Sequence, residues 1–129
     1  MREDKRRVVL KQSVKEVYEF IKNPKNYLSG ISNVHLGETG DSATFSVFGF
    51  GTIEAHISKL VENEKVVLYS KTINTSLEAT LSPSQDGGTI VNITSKSNPQ
   101  FGFIRNNIVL SSIPGLLDSL VKHLKNQNI

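Results

Sequence analysis

The chain has 129 residues, a formal net charge of +3 and no cysteine. This length predicts a single domain, residues 1–129, that can bury a core of its own. Without cysteine there is no disulfide, no thiolate metal site and no cysteine nucleophile. The basic side chains are scattered rather than gathered into a stripe with aromatic residues, so we expect no nucleic-acid binding.

The first elements in chain order are a short strand and an amphipathic helix. Arg7–Leu10 is a β-type run. Ser13 and Glu16 then form a capping box, in which each side chain can bond the backbone N–H of the other residue. Asn23-Pro24 ends the helix, because the residue before a proline is disfavoured in the α region. A short helical turn from Pro24 to Leu28 follows.

Between residues 31 and 96 the apolar pattern changes to period two, which is typical of half-buried strands. Six strands are predicted there, at 31–36, 43–48, 53–58, 66–72, 77–81 and 89–96. Asp86-Gly87-Gly88 is a strong hairpin signal, since glycine takes a positive φ without steric cost. Consecutive strands joined by short turns pair antiparallel, so the segment predicts an antiparallel meander.

A long amphipathic segment ends the chain, from Gly102 to about Lys125. Its apolar residues recur at helical spacing: Ile113, Leu116, Leu117, Leu120, Val121 and Leu124. Pro114 predicts a kink or a restart, because proline has no backbone N–H. The sheet and this helix each have one apolar side. The sequence therefore predicts an α+β fold in which a curved, seven-stranded antiparallel sheet (β-α-α-β6-α) wraps around the C-terminal helix.

A strongly curved sheet that closes on one helix predicts an internal cavity. The candidate lining residues on the strands are Phe45, Val47, Ile53, Ala55, Ile57, Leu77, Ala79, Val91 and Ile93. Those on the helix are Ile108, Ser112 and Leu116. Arg105 could orient a ligand as one of the few polar groups of an apolar pocket, or it could be solvated. For each apolar residue the alternative is ordinary core packing.

No catalytic arrangement stands out. Glu54 and His56 lie two apart on one strand and could form an acid–base pair, but residues 53, 55 and 57 form the better core face, which places both side chains in solvent. His56 and the other two histidines, His35 and His123, lack the spacing of metal ligands. We therefore expect no catalytic residue, no metal and no cofactor.

Several short motifs follow one another along nearly the whole chain. They are the capped helix Ser13–Ile21 with Asn23-Pro24 and Tyr27, the turn Leu60–Val66, and Leu81-Ser82-Pro83 followed by Asp86-Gly87-Gly88-Thr89. In this order they resemble the START/Bet v 1-like (SRPBCC, polyketide cyclase-like) superfamily, and most of all its CoxG-like branch, whose members are associated with carbon monoxide dehydrogenase. The resemblance implies a helix-grip fold, a hydrophobic cavity without shared catalytic residues, and a cavity mouth at Tyr27, Leu28 and Ile31.

Three functions are compatible with these features. The first is binding or transport of a small hydrophobic ligand, such as a lipid, an isoprenoid or a quinone-like molecule. The second is a cyclase- or dehydratase-type enzyme in which Glu54 or His56 moves protons. The third is an accessory subunit that docks on a larger oxidoreductase through Phe48 and Phe50, which could also contact a membrane surface.

The sequence also gives expectations for compartment and partners. No apolar segment predicts a signal peptide or a membrane span, and we expect a cytoplasmic protein. The expected partner is a small hydrophobic molecule, with a protein or peripheral membrane partner as a further option. The chain is expected to be a monomer or a homodimer.

Overall fold

The computed structural model of the protein describes residues 2–24, 26, 34–36, 42–47 and 51–126. Their strands are β1 (Arg2–Leu10), β2 (Val34–Leu36), β3 (Ser42–Val47), β4 (Gly51–Val61), β5 (Lys65–Ser70), β6 (Thr75–Pro83) and β7 (Thr89–Ser97). Their long helices are α1 (Val14–Ile21) and α2 (Phe103–Asn126). The predicted short helix at Pro24–Leu28 lies mostly outside the described residues.

In the part of the chain that is described, seven strands form one antiparallel sheet in the order β1-β7-β6-β5-β4-β3-β2. Strands β2 to β7 form the predicted meander. The first strand, β1, pairs with the last one, β7, over residues 2–10 and 89–97. The predicted α+β class, the seven-stranded antiparallel sheet and the long C-terminal helix are confirmed.

The capping box predicted for α1 is present. The Glu16 N–H donates to Ser13 Oγ at 3.3 Å, and the Ser13 N–H donates to Glu16 Oε1 at 3.3 Å. These bonds satisfy backbone groups that a helix N-terminus otherwise leaves without partners. The helix turns Val17, Tyr18 and Ile21 toward the core, where all three are buried.

The C-terminal helix α2 is continuous over 24 residues, or about 36 Å. A kink or a restart was predicted at Pro114, but the helix runs through this residue and does not restart. Because proline has no backbone N–H, the carbonyl of Leu110, four residues earlier, receives no helical hydrogen bond from position 114. The helix buries one stripe against the sheet: Val109, Ile113, Leu117, Leu120 and Leu124. No helix within the described ranges has both the length and the apolar character needed to cross a membrane.

The two helices pack on the same side of the sheet and share its main core. The largest cluster of buried side chains unites α1, α2 and five strands: Val8, Leu10, Val17, Tyr18, Ile21, Ala43, Val66, Leu68, Leu81, Val91, Ile93, Ile113, Leu117, Leu120 and Leu124. A smaller cluster, formed by Ile53, Ile73 and Val109, lies toward the start of α2. The space between α2 and the inner side of the sheet therefore holds the core and any cavity.

The β6–β7 hairpin forms where the Asp-Gly-Gly sequence predicts it. The Ser84 N–H donates to the Gly88 carbonyl at 3.0 Å, and Gly87 has a φ of +85°. Gly88 serves a different purpose, because a Cβ at this position would overlap the carbonyl oxygen of Leu10. Its missing side chain lets the hairpin lie against the end of β1.

Strand β4 carries an irregularity that the period-two pattern does not predict. Its register against β5 shifts between Ile57 and Lys59. Before the shift the inward residues of β4 are at odd positions, as the buried Ile53 and Ala55 show. After it an even position, Leu60, is the one that pairs with the buried Val66. A β-bulge of this kind moves the following side chains to the other face.

Candidate ligand-binding site

A small cavity lies between the sheet and the C-terminal half of α2. Its volume is about 30 Å³, and every lining residue has a hydrocarbon side chain: Ile21, Val66, Leu68, Leu77, Ala79, Val91, Ile93, Leu120 and Leu124. We name it the apolar cavity. Such a space offers a ligand apolar contact alone and stays dry when empty.

A second cavity, of about 70 Å³, adjoins the first. Its lining residues are Ile53, Ala55, Leu68, Tyr69, Ser70, Ile73, Thr75, Leu77, Ser95, Ser112, Ile113, Leu116 and Leu120. We name it the hydroxyl cavity, after the serine and threonine side chains that distinguish it. The two cavities share Leu68, Leu77 and Leu120, so together they follow α2 along the sheet.

The strand register explains why one end of this space is polar. Ser70 lies opposite Thr75, which in turn lies opposite Ser97. Paired residues on adjacent antiparallel strands point to the same face. The three residues therefore form a row across the inner side of β5, β6 and β7, and all three are buried.

The next rows become steadily more apolar. Leu68 and Leu77 face each other, and Leu77 also faces Ser95. The row beyond consists of Val66, Ala79 and Ile93, which line the apolar cavity. The inner side of the sheet thus changes from hydroxyl to hydrocarbon within three rows.

Most hydroxyls around the polar end are hydrogen-bonded within the protein. The Thr75 hydroxyl donates to the Ile73 carbonyl at 3.1 Å and lies 2.9 Å from Ser97 Oγ. Because the Thr75 hydroxyl has one hydrogen, Ser97 is the donor of the second bond. On α2, Ser112 donates to the Val109 carbonyl at 2.7 Å.

Two hydroxyls differ from these. Ser70 and Ser95 are 4% and 1% exposed, and neither Oγ has a hydrogen-bond partner in the described structure. Both residues line the hydroxyl cavity. Buried polar groups almost always have a partner, so these two oxygens mark the polar end as an unusual part of the core.

Eight of the predicted lining residues, six on the strands and two on α2, lie around these cavities. Ile53, Ala55, Leu77, Ser112 and Leu116 line the hydroxyl cavity, and Leu77, Ala79, Val91 and Ile93 line the apolar cavity. Ile57 is partly buried against the main core. Whether any of them binds a ligand stays a prediction.

Other predicted site residues lie elsewhere. Arg105 is exposed near the start of α2, with its guanidinium 5.8 Å from the centre of the Phe101 ring, and it lines neither cavity. Ile108 lies along an outer groove with Arg2. Both residues precede the stretch of α2 that faces the two cavities, which begins at Ser112.

A further group of predicted residues cannot be placed around the cavities. Phe45 and Val47 are on β3, where their backbones pair with Ile53 and Gly51, but their side chains lie outside the described part of the structure. The predicted mouth at Tyr27, Leu28 and Ile31 lies outside it altogether, as do Phe48 and Phe50.

The acid–base pair considered from the sequence does not reach the cavities. Glu54 and His56 are exposed on β4 and border an outer groove with Lys71 and Thr72. The His56 ring meets the Tyr69 ring edge to face, with 6.1 Å between the ring centres. A reaction in either cavity would therefore receive no proton from these two side chains.

Charged side chains are absent from the described cavity walls, where no aspartate, glutamate, lysine, arginine or histidine is found. The described residues also contain no group of three or more potential metal ligands. The site provides hydrocarbon surface and neutral hydroxyls.

Sequence reasoning predicted Ser112 at the cavity but missed Ser70 and Ser95. Ser70 continues the inward positions of Val66 and Leu68, and Ser95 continues those of Val91 and Ile93. The same period-two pattern that predicted the apolar lining would have placed both serines on the inner face.

An antiparallel sheet laid over a long C-terminal helix, with cavities between them, defines the START-like helix-grip class of folds. Solved structures confirm this fold. A START superfamily protein from Mycobacterium smegmatis is similar with a TM-score of 0.63 and 8% identity, over 93% of this chain and 94% of that one.

Two further structures support the same fold. The protein XoxI from Bacillus cereus is similar with a TM-score of 0.72 and 12% identity, over 97% of this chain and 94% of that one. The Aha1 dimer from Colwellia psychrerythraea is similar with a TM-score of 0.56 and 16% identity, over 93% and 96%. No protein-family model and no curated protein matches the sequence. The likeness therefore concerns the fold.

Proposed function

We propose that the protein binds a small hydrophobic molecule between the sheet and α2. The observation that carries the proposal is the pair of adjoining cavities, lined mainly by hydrocarbon and free of charged side chains among the described residues. The START-like fold of the neighbours supports it, because this fold is suited to holding apolar ligands. Lipids, isoprenoids and quinone-like molecules are the ligand classes we propose.

The size of the cavities adds a mechanical requirement. Their volumes, about 30 and about 70 Å³, are below the roughly 300–1,000 Å³ of pockets that enclose drug-sized ligands. A ligand that needs more space than these cavities offer requires α2 to move away from the sheet. The Arg6–Asp118 ion pair, at 2.7 Å, connects β1 to the outer side of α2 and would have to follow such a movement.

The test begins with protein purified from the cells that produce it. Native mass spectrometry should show a species heavier than the chain alone, and organic extraction should release an apolar compound of the same mass. Ala79→Leu inserts three carbons into the apolar cavity and should reduce the bound fraction. Thr80→Leu adds bulk at the neighbouring position, outside both cavities, and should leave the bound fraction unchanged.

Two results would contradict the proposal. One is a protein that carries no added mass and binds no apolar probe. The other is equal loss of ligand in Ala79→Leu and Thr80→Leu, since this would show that general destabilisation, not filling of the cavity, removes the ligand. The enzyme alternative gains no support from the structure, because Glu54 and His56 are exposed outside the cavities.

A second candidate function is transient contact with an anionic membrane surface, from which a ligand would be collected. Phe103 and Ile104, at the start of α2, are 81% and 73% exposed. They share an outer groove with Arg2, and Arg105 follows them in the chain. Exposed apolar side chains beside cations match an anionic lipid surface. Docking on a larger oxidoreductase stays a prediction, as does the choice between monomer and homodimer.

A further inference from the structure

The buried hydroxyls of Ser70 and Ser95 have bonding capacity that the described protein does not use. A serine hydroxyl can donate one hydrogen bond and accept two. Both oxygens are buried, neither has a partner among the described residues, and both residues line the hydroxyl cavity. A buried hydroxyl without a partner destabilises the fold. Two such groups at one cavity therefore require an explanation that packing does not give.

Neighbouring hydroxyls in this core have hydrogen-bond partners within the protein. Thr75 donates to a backbone carbonyl, Ser97 bonds Thr75, and Ser112 donates to a backbone carbonyl of its own helix. Ser70 lies directly across from Thr75 in the strand register, and Ser95 lies two residues before Ser97 on one strand. The two unpartnered hydroxyls are thus a selective exception within a bonded cluster.

The charge of the surroundings limits what these hydroxyls can bind. No aspartate, glutamate, lysine, arginine or histidine is found among the described residues of the cavity wall. A carboxylate or an ammonium group placed there would lose its hydration without gaining an opposite charge. A carbonyl or hydroxyl oxygen loses much less, and the two serines can replace its bonds to water.

We propose that Ser70 and Ser95 provide two separate contacts for the neutral, oxygen-bearing head group of the ligand, a carbonyl or a hydroxyl, while its hydrocarbon chain extends into the apolar cavity. This inference rests on the proposed function. The direction of the ligand follows from the shared wall, because Leu68, Leu77 and Leu120 border both cavities. The head group lies toward the Ser97 end of β7 and the chain toward Leu124 at the end of α2.

The spacing of the strands determines how the two serines can contact a ligand. One strand, β6, lies between β5 and β7, so the two serine-bearing strands are about 10 Å apart at about 4.8 Å per step. Ser70 and Ser95 also lie in adjacent rows, so one ligand oxygen bonds one serine at a time and a ligand with two oxygens can bond both. Removing one serine should weaken the binding of an oxygen-bearing ligand, and removing both should weaken it further.

The experiment measures binding of five six-carbon probes by ¹H–¹⁵N NMR titration: hexane, 2-hexanone, 1-hexanol, hexanoate and hexylamine. The variants are Ser70→Ala, Ser95→Ala and the double variant. Ser112→Ala is the matched control, because Ser112 lines the same cavity but its hydroxyl is already bonded to Val109. We expect 2-hexanone and 1-hexanol to lose about three- to tenfold in affinity in the double variant. Hexane affinity should change less than about twofold, and the control should match the unaltered protein.

The remaining outcomes separate this inference from the proposed function. If all neutral probes bind and the double variant keeps its affinity for 2-hexanone, the serine assignment is overturned while the cavity remains a binding site. If hexanoate or hexylamine binds more tightly than 2-hexanone, the neutral head group is overturned. If no probe binds the unaltered protein, both the inference and the proposed function are overturned. The comparison of probes on the unaltered protein does not depend on the folding of any variant.

Discussion

Replacing Ser95 with alanine removes a hydroxyl from a residue that is 1% exposed, and this oxygen has no hydrogen-bond partner in the described structure. Burying a hydroxyl without a partner costs about 1–3 kcal/mol. The substitution relieves that cost and enlarges the cavity by one oxygen atom, which offsets part of the gain. We expect the free energy of unfolding to rise by about 1 kcal/mol.

Ser97→Ala makes the same chemical change two positions along β7, but with the opposite expected sign. Ser97 is also 1% exposed, and its hydroxyl bonds Thr75 at 2.9 Å. Losing a buried hydrogen bond costs about 1 kcal/mol. The two variants should therefore differ by about 2 kcal/mol, although they share the residue type, the strand and the burial.

Urea unfolding of ligand-free protein measures this difference directly, and thermal unfolding provides a second reading. For a chain of this size, 1 kcal/mol corresponds to about 3–5 °C in Tm. Equal destabilisation in Ser95→Ala and Ser97→Ala would refute the reasoning, because it would mean that the Ser95 hydroxyl has a partner in the free protein. An unchanged m-value is needed for the comparison to report stability.

Three further predictions concern the hairpin and the outer surface. Gly88→Ala should cost about 2 kcal/mol or more in urea unfolding, since its Cβ would overlap the Leu10 carbonyl, and it should cost more than Gly87→Ala, whose Cβ meets nothing within 4 Å. Hydrogen bonds from the Ser84 hydroxyl and from backbone N–H groups lower the pKa of Asp86 below 3.8. The ionised Asp86 carboxylate therefore contributes to stability above pH 3.8, and this contribution is lost as the pH falls through the lowered pKa. An NMR titration of Asp86 should show the low midpoint, and Ser84→Ala should raise that midpoint. Phe103→Ser should reduce binding to anionic vesicles in co-sedimentation while changing stability by less than about 0.5 kcal/mol, and unaltered vesicle binding would contradict a membrane role.

The order of elements could be predicted because each local signal agreed with the next. The Ser13–Glu16 capping box and the Asp86–Gly88 turn both formed as the sequence indicates. Strand β1 shows the limit of such signals. Only Arg7–Leu10 read as a strand, whereas β1 extends back to Arg2.

The charged part of β1 is explained by contacts that are invisible in the sequence. Arg2 pairs with Asp4 at 2.8 Å, and Arg6 pairs with Asp118 at 2.7 Å, across 112 positions of the chain. Backbone pairing with β7 supplies the rest of the support. The charged residues at the start of β1 are unfavourable for a strand on local propensity, and pairing with β7 stabilises the strand there.

The lining residues could be predicted where the strands keep a regular pleat and not where they depart from it. Period two placed Ile53 and Ala55 correctly on the inner side, but the register shift after Ile57 could not be read from the sequence. From the sequence, Arg105 was either a polar contact of the ligand or a solvated side chain, and in the structure it is exposed and lines neither cavity. The polar groups at the cavity include Ser70 and Ser95, which nothing in the sequence separates from ordinary surface serines.

The two serines also show how stability and binding can oppose each other in this fold. Valine or alanine would suit the packing at positions 70 and 95, since the cavity around them is otherwise mainly hydrocarbon. A buried polar group that breaks the local rule without compensation within the protein is expected at functional sites. Ligand oxygens that bond these hydroxyls would supply the missing compensation only in the bound state. The free energy by which Ser70→Ala and Ser95→Ala stabilise the empty protein should then be lost when the bound proteins are compared, which couples the stability measurement to the binding measurement.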